Sequence, residues 1–114
     1  MWTLLPEVEY EKRARKWPKK HQREFVAMHD NLDTFLGALS RGAKLEQIGF
    51  GFVHNEPQGI LAIDQKGGGA GLKETRLYIY PVRESQVIHL ITIGDKNTQK
   101  ADIQYACEFV CGLT

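Results

Sequence analysis

Apolar and polar positions follow two different periods along this chain, and the change of period separates a helical half from a stranded half. Phe25, Met28, Leu32, Phe35, Leu36 and Leu39 recur at helical spacing, with Lys, His, Gln and Asp on the other side. The stripe predicts an amphipathic helix running to about Arg41 and stopped by Gly42. Upstream, Pro6 followed by Glu7 and Glu9 reads as a helix start, because proline fits the first turn and acids complement the positive end of the helix dipole. Val8, Ala14 and Trp17 form the inner side of this first helix. Pro18 interrupts the run and suits the opening of a second helix, so a helical hairpin is expected with a basic connection at Trp17-Pro18. Trp2 to Leu5 reads either as a short strand or as an anchored terminus.

Past Gly42 the period shortens towards two. From Ile60 to Lys66, alternation puts Ile60, Ala62, Asp64 and Lys66 on one face and Leu61, Ile63 and Gln65 on the other. The next strand sets Lys73, Thr75, Leu77 and Ile79 opposite Glu74, Arg76, Tyr78 and Tyr80. Val87 to Ile93 is apolar on both faces and is expected to be central. Gly49 to His54 alternates glycine with aromatics, as a strand or as a loop pinned by Phe50 and Phe52. Asn55 to Gly59 is a turn. Ile103, Ala106, Cys107 and Val110 share a helical face, with Asp102 the expected cap. The expected architecture is a single α+β domain over residues 1–114: an N-terminal helical hairpin packed on a small, mostly antiparallel β-meander, with a C-terminal helix.

Composition changes this picture little, but charge distribution adds to it. With 15 Lys and Arg against 14 Asp and Glu, net charge does not point to nucleic acid. The cations are nevertheless clustered: Lys12, Arg13, Arg15, Lys16, Lys19, Lys20 and Arg23 lie in one short stretch, either a solvated helix surface or an electrostatic footprint. The two cysteines, Cys107 and Cys111, sit one helical turn apart and read as buried small hydrophobes in a reducing compartment. No apolar run has membrane-spanning length and no signal-peptide pattern opens the chain, so a cytoplasmic protein is expected. The glycine-rich run 67–71 before Leu72 and Lys73 is not a phosphate loop. No Ser or Thr follows the lysine, and a strand rather than a helix comes next.

Three short motifs, taken in order, carry a likeness. They are Arg15-Lys16-Trp17-Pro18-Lys19 between the helices, Thr75-Arg76-Leu77-Tyr78-Ile79-Tyr80 in a strand, and Ile93-Gly94-Asp95-Lys96 after the last strand. Together the chain resembles the RelE/ParE toxin superfamily over nearly its whole length. The resemblance implies a metal-free and cofactor-free endoribonuclease that cuts messenger RNA, usually on the ribosome, by attack of a ribose 2′-OH on the adjacent phosphodiester. It implies catalytic roles for Lys66, Arg76 and Lys96 around the scissile phosphate, with His54 as base. Lys73, Tyr78, Tyr80, Lys19, Lys20 and Arg23 would bind RNA, and a small antitoxin protein would be the partner. ParE-like members, which act on DNA gyrase without cutting RNA, give the alternative of a non-catalytic binding module. The residues alone also allow plainer roles: His54 as a surface loop histidine, and Arg76 and Lys96 as sheet partners of Glu74, Asp64 or Asp95. No histidine pair has ligand spacing with a third group, so no metal is expected.

Overall fold

The computed structural model describes residues 1–65 and 72–113. Its elements run β1 (Thr3–Pro6), α1 (Val8–Ser40), β2 (Val53–Asn55), β3 (Leu61–Gln65), β4 (Thr75–Val82), β5 (Val87–Asp95) and α2 (Gln99–Gly112). The strands form one mixed sheet in the order β1-β5-β4-β3-β2, in which only β1 pairs in parallel, with β5. The apolar β5 therefore lies inside the sheet, flanked by β1 and β4, while β4 is the middle strand.

The sheet is buried on both faces. Met28, Leu32, Phe35 and Leu39 of α1 cover Ile63, Leu77, Ile79, Ile88, Leu90 and Ile93. On the other face Ala106 and Val110 of α2 cover Ile60, Ala62, Tyr78 and Ile91. A bulge in β5 makes this sharing possible. Tyr78 pairs with Thr92 but Ile79 pairs with Leu90, which leaves Ile91 as the extra residue. The bulge turns Ile91 towards α2 while Leu90 and Ile93 stay with α1, and so accommodates a run that is apolar at nearly every position.

The helical region departs from expectation. The separate helices and basic connection at Trp17-Pro18 are not seen, because one helix runs from Val8 to Ser40 with Pro18 inside it. Pro18 lacks the N–H that would bond back into the preceding turn, a loss that kinks a helix without requiring a loop. The backbone leaves helical geometry at His21 instead (φ −134°, ψ 48°). The bend there is sharp. Tyr10 Oη and His29 Nε2, nineteen residues apart, lie 2.7 Å from each other, whereas a straight helix would separate those positions by about 28 Å. His29 is accordingly wedged between Tyr10 and Phe25 rather than free on the surface.

Two smaller expectations also change. Asp102 is not the cap of α2 but lies in its first turn, with Thr98 at the N-cap. Cys111 is exposed and Cys107 half-buried, because the inner face of α2 is taken by Asp102, Ala106 and Val110.

Just past the bend, Glu24 Oε2 accepts a hydrogen bond from the Lys73 backbone N–H (3.1 Å) and ties α1 to the approach of β4. That bond holds the Glu24 carboxyl below its ordinary pKa, against the opposing effect of burial. A depressed carboxylate adds stability above its unfolded pKa and loses it as pH falls through the folded value. Glu24→Gln is therefore expected to cost about 1 kcal/mol at neutral pH. The gap to wild type should close in acid, as read by urea denaturation at the two pH values.

Candidate functional site

Strand pairing, not sequence proximity, assembles the most chemically distinctive cluster. β2 pairs with β3 so that His54 faces Ala62, and β3 pairs with β4 so that Asp64 faces Arg76. With alternate residues on each face, His54, Asp64 and Arg76 share the side of the sheet that α2 partly covers. His54 Nε2 lies 2.8 Å from Asp64 Oδ2, and Arg76 Nε lies 3.2 Å from Asp64 Oδ1. Asp64 is only 1% exposed, so one buried carboxylate stands between a histidine and an arginine. Its backbone is pinned as well: the N–H donates to Phe52 O and the C=O accepts from Asn31 Nδ2.

His54 has the posture of an oriented imidazole. Its Nε2 is buried against Asp64, while the side chain as a whole is 35% exposed. A neutral ring with its proton on Nε2 carries its free lone pair on Nδ1, and a general base requires such a lone pair.

Arg76 is held differently from a residue open to a phosphate. Glu74 accepts from its Nε at 3.0 Å and Glu56 lies 3.6 Å from NH1, so three carboxylates surround one guanidinium that is 12% exposed. Burial opposes the charge, but the Glu74 hydrogen bond and the Asp64 charge outweigh it and hold the pKa above the ordinary arginine value. Arg76→Met would leave these carboxylates facing one another with their shared cation gone. A loss of about 2 kcal/mol is expected, read as a lower urea midpoint with unchanged slope.

The other expected residues divide by position. Lys73 and Lys96 are exposed just outside β4 and β5, at the sheet end where Thr75 pairs with both Gln65 and Asp95. The Glu24–Lys73 bond brings the bend of α1 to the same end, with Lys19, Lys20 and Arg23 exposed around it. Lys66 lies outside the described residues. Tyr80 sits four residues beyond Arg76 along β4, about 13 Å away, where it stacks on His89. Tyr78 is fully buried in the core under α2, so it cannot stack on a base. Burial, with the Asp102 charge adding to it, pushes its phenol well above the ordinary tyrosine pKa.

Asp64 and Glu56 were absent from the residues expected to act. Asp64 did carry a signal, as a lone carboxylate alternating with Ile60 and Ala62 on an otherwise apolar face. Among the described residues no group of three His, Cys, Asp or Glu side chains is arranged to hold a metal, and no helix is long and apolar enough to cross a membrane. No protein-family model, curated protein or solved structure matches the chain. Function has to be argued from the side chains themselves.

Proposed function

We propose that the chain is a RelE-like toxin, a metal-independent endoribonuclease acting on ribosome-associated mRNA and held in check by a small antitoxin. The observation that carries this reading is the His54–Asp64 contact at 2.8 Å, a partly exposed imidazole backed by a buried carboxylate. His54 takes the proton from a ribose 2′-OH, and the 2′-oxygen attacks the adjacent phosphorus. The P–O5′ bond breaks, the 5′-oxygen takes a proton from water, and a 2′,3′-cyclic phosphate remains. Asp64 fixes the imidazole tautomer and stabilises the imidazolium that forms. Arg76 acts through Asp64 as a positioning residue. Lys73 and Lys96, with the helix cations Lys19, Lys20 and Arg23, supply the positive charge that attracts the RNA strand.

A second reading has its own support. The three carboxylates around Arg76 make the cluster resemble a structural ion-pair network, as expected of a RelE/ParE-fold module that binds a protein target without cutting RNA. Induced expression in a growing bacterial host, with mRNA 5′ ends mapped for wild type and His54→Gln, separates the two. New cuts within translated messages that vanish in the variant support the nuclease. Growth arrest without cuts, equal in both, supports the binding module.

A further inference from the structure

Where α2 stops at Gly112, a cleft of about 440 Å³ stays open over the sheet beside it. Strand register builds its base. Leu5 of β1 pairs with His89 of β5 and His89 with Tyr80 of β4, while Val87 pairs with Val82 in the next row. Leu113 completes the lining, with Ser85 at the β4–β5 turn. Two of the aliphatic residues are unusually open for their size, Leu5 at 45% and Leu113 at 44% exposure. His89 lies among them and is held on three sides. Its Nδ1 is 2.7 Å from Glu7 Oε2, Tyr80 stacks on the ring, and Phe109 of α2 meets it edge-on with ring centres 5.6 Å apart. An ionised carboxylate only accepts, so a ring proton sits on Nδ1. Glu7 is pinned in its turn, since its N–H donates to Leu90 O at 3.0 Å.

Glu7 is not part of the lining, so the Nδ1 edge of His89 turns away from the cleft. Nε2 has no hydrogen-bond partner among the described residues and is not one of the polar atoms closed off from solvent. We infer that this cleft binds a small free phenol, at a site separate from the His54 cluster and independent of the nuclease reading. Its volume and mostly apolar lining are those of a small-molecule site, in which a few fixed polar groups set orientation. With the proton on Nδ1, Nε2 offers a lone pair, and the Glu7 carboxylate behind the ring strengthens it as an acceptor. The ligand therefore brings a donor. A phenol hydroxyl is more acidic than an aliphatic one and donates better, and its ring packs on Leu5, Val82, Val87 and Leu113. An anion suits the cleft less well, because the Glu7 charge stands just across the imidazole.

The test titrates the isotope-labelled full chain with p-cresol, toluene and p-toluate, which share one tolyl body and differ in the polar group. NMR follows the His89 ring nitrogens and the methyl groups of Leu5, Val82, Val87 and Leu113. p-Cresol is expected to bind with a Kd of about 1 mM. Toluene should bind about tenfold more weakly, and p-toluate no better than toluene. Of the three, p-cresol alone should move the Nε2 resonance strongly. The ligand comparison needs no change to the protein. His89→Phe, if folded by circular dichroism, should erase the difference between p-cresol and toluene, and His54→Gln should preserve it. Equal affinity for p-cresol and toluene, tighter binding of p-toluate, or shifts that miss Leu5 and Leu113 overturn the assignment. So does tighter binding of N-acetyltyrosinamide, which would give the cleft to a partner's tyrosine instead of a free phenol. None of these readings depends on whether RNA is cut, so this site and the nuclease stand or fall separately.

Discussion

His54→Gln is expected to lower RNA cleavage by about 10²- to 10⁴-fold while leaving the fold intact, the range that follows loss of a positioned general base. Glutamine roughly matches the imidazole in reach but has no basic nitrogen to accept the 2′-OH proton. The change should be nearly silent for stability, since the ring is 35% exposed and Arg76 still faces Asp64. Asp64→Asn should also lose activity, but through misdirection, because an amide can donate to Nε2 and favour the tautomer whose proton sits on Nδ1. Cleavage of a defined RNA by purified protein, beside circular dichroism and a urea melt, checks both. Full activity in folded His54→Gln would remove the base from the proposal.

Gly94→Ala is expected to destabilise the protein by about 3 kcal/mol, the largest stability effect among the substitutions considered. A methyl at this position would lie 2.7 Å from Thr98 Oγ1 and closer still to the Asp102 carboxylate. That carboxylate cannot swing aside cheaply. Asp102 is 2% exposed, accepts from Thr98 Oγ1 at 2.6 Å, and meets Arg13 NH1 at 2.9 Å. Arg13 also donates to the Ile93 carbonyl at 2.7 Å, so a displaced Asp102 would loosen α1, β5 and α2 together. Burial opposes the Arg13 charge, and the hydrogen bond and charge of Asp102 more than restore it. Denaturation midpoints for Gly94→Ala, Asp102→Ala and the double variant form a cycle. The double variant should cost clearly less than the two single changes summed, since removing the carboxylate makes room for the methyl.

The sequence carried the strands better than the helices, for a physical reason. Alternation in 60–65 and 73–80 is enforced by a sheet buried on both faces, so the side assigned to Asp64, Arg76 and Tyr78 could be read from the chain. The helix break was misplaced because Pro18 is the obvious breaker, while the backbone yields at His21, a residue with no intrinsic signal for it. The bend is held by a contact, Tyr10 to His29, that no local pattern announces. At the candidate site, His54 and Arg76 stood out by residue type. Asp64 could be named as a sheet partner of Arg76, but its place beside His54 depends on β2–β3–β4 register, which sequence leaves open. Tyr78 shows the converse: an aromatic in a strand suggests a stacking surface, and the arrival of α2 over it makes it core instead.

The parallel edge of the sheet bears on the order in which the molecule takes shape. Thr3 pairs with Val87, so the first strand is synthesised 84 positions before the partner that receives it (87 − 3). The hairpins β2–β3–β4, which gather His54, Asp64 and Arg76, join residues close together in the chain and close quickly. Sealing β1 against β5, and locking Arg13 to Asp102 beyond it, must wait until β5 and α2 have been made. The cluster proposed for chemistry can thus form early, whereas the clasp that secures the helices around the sheet closes last.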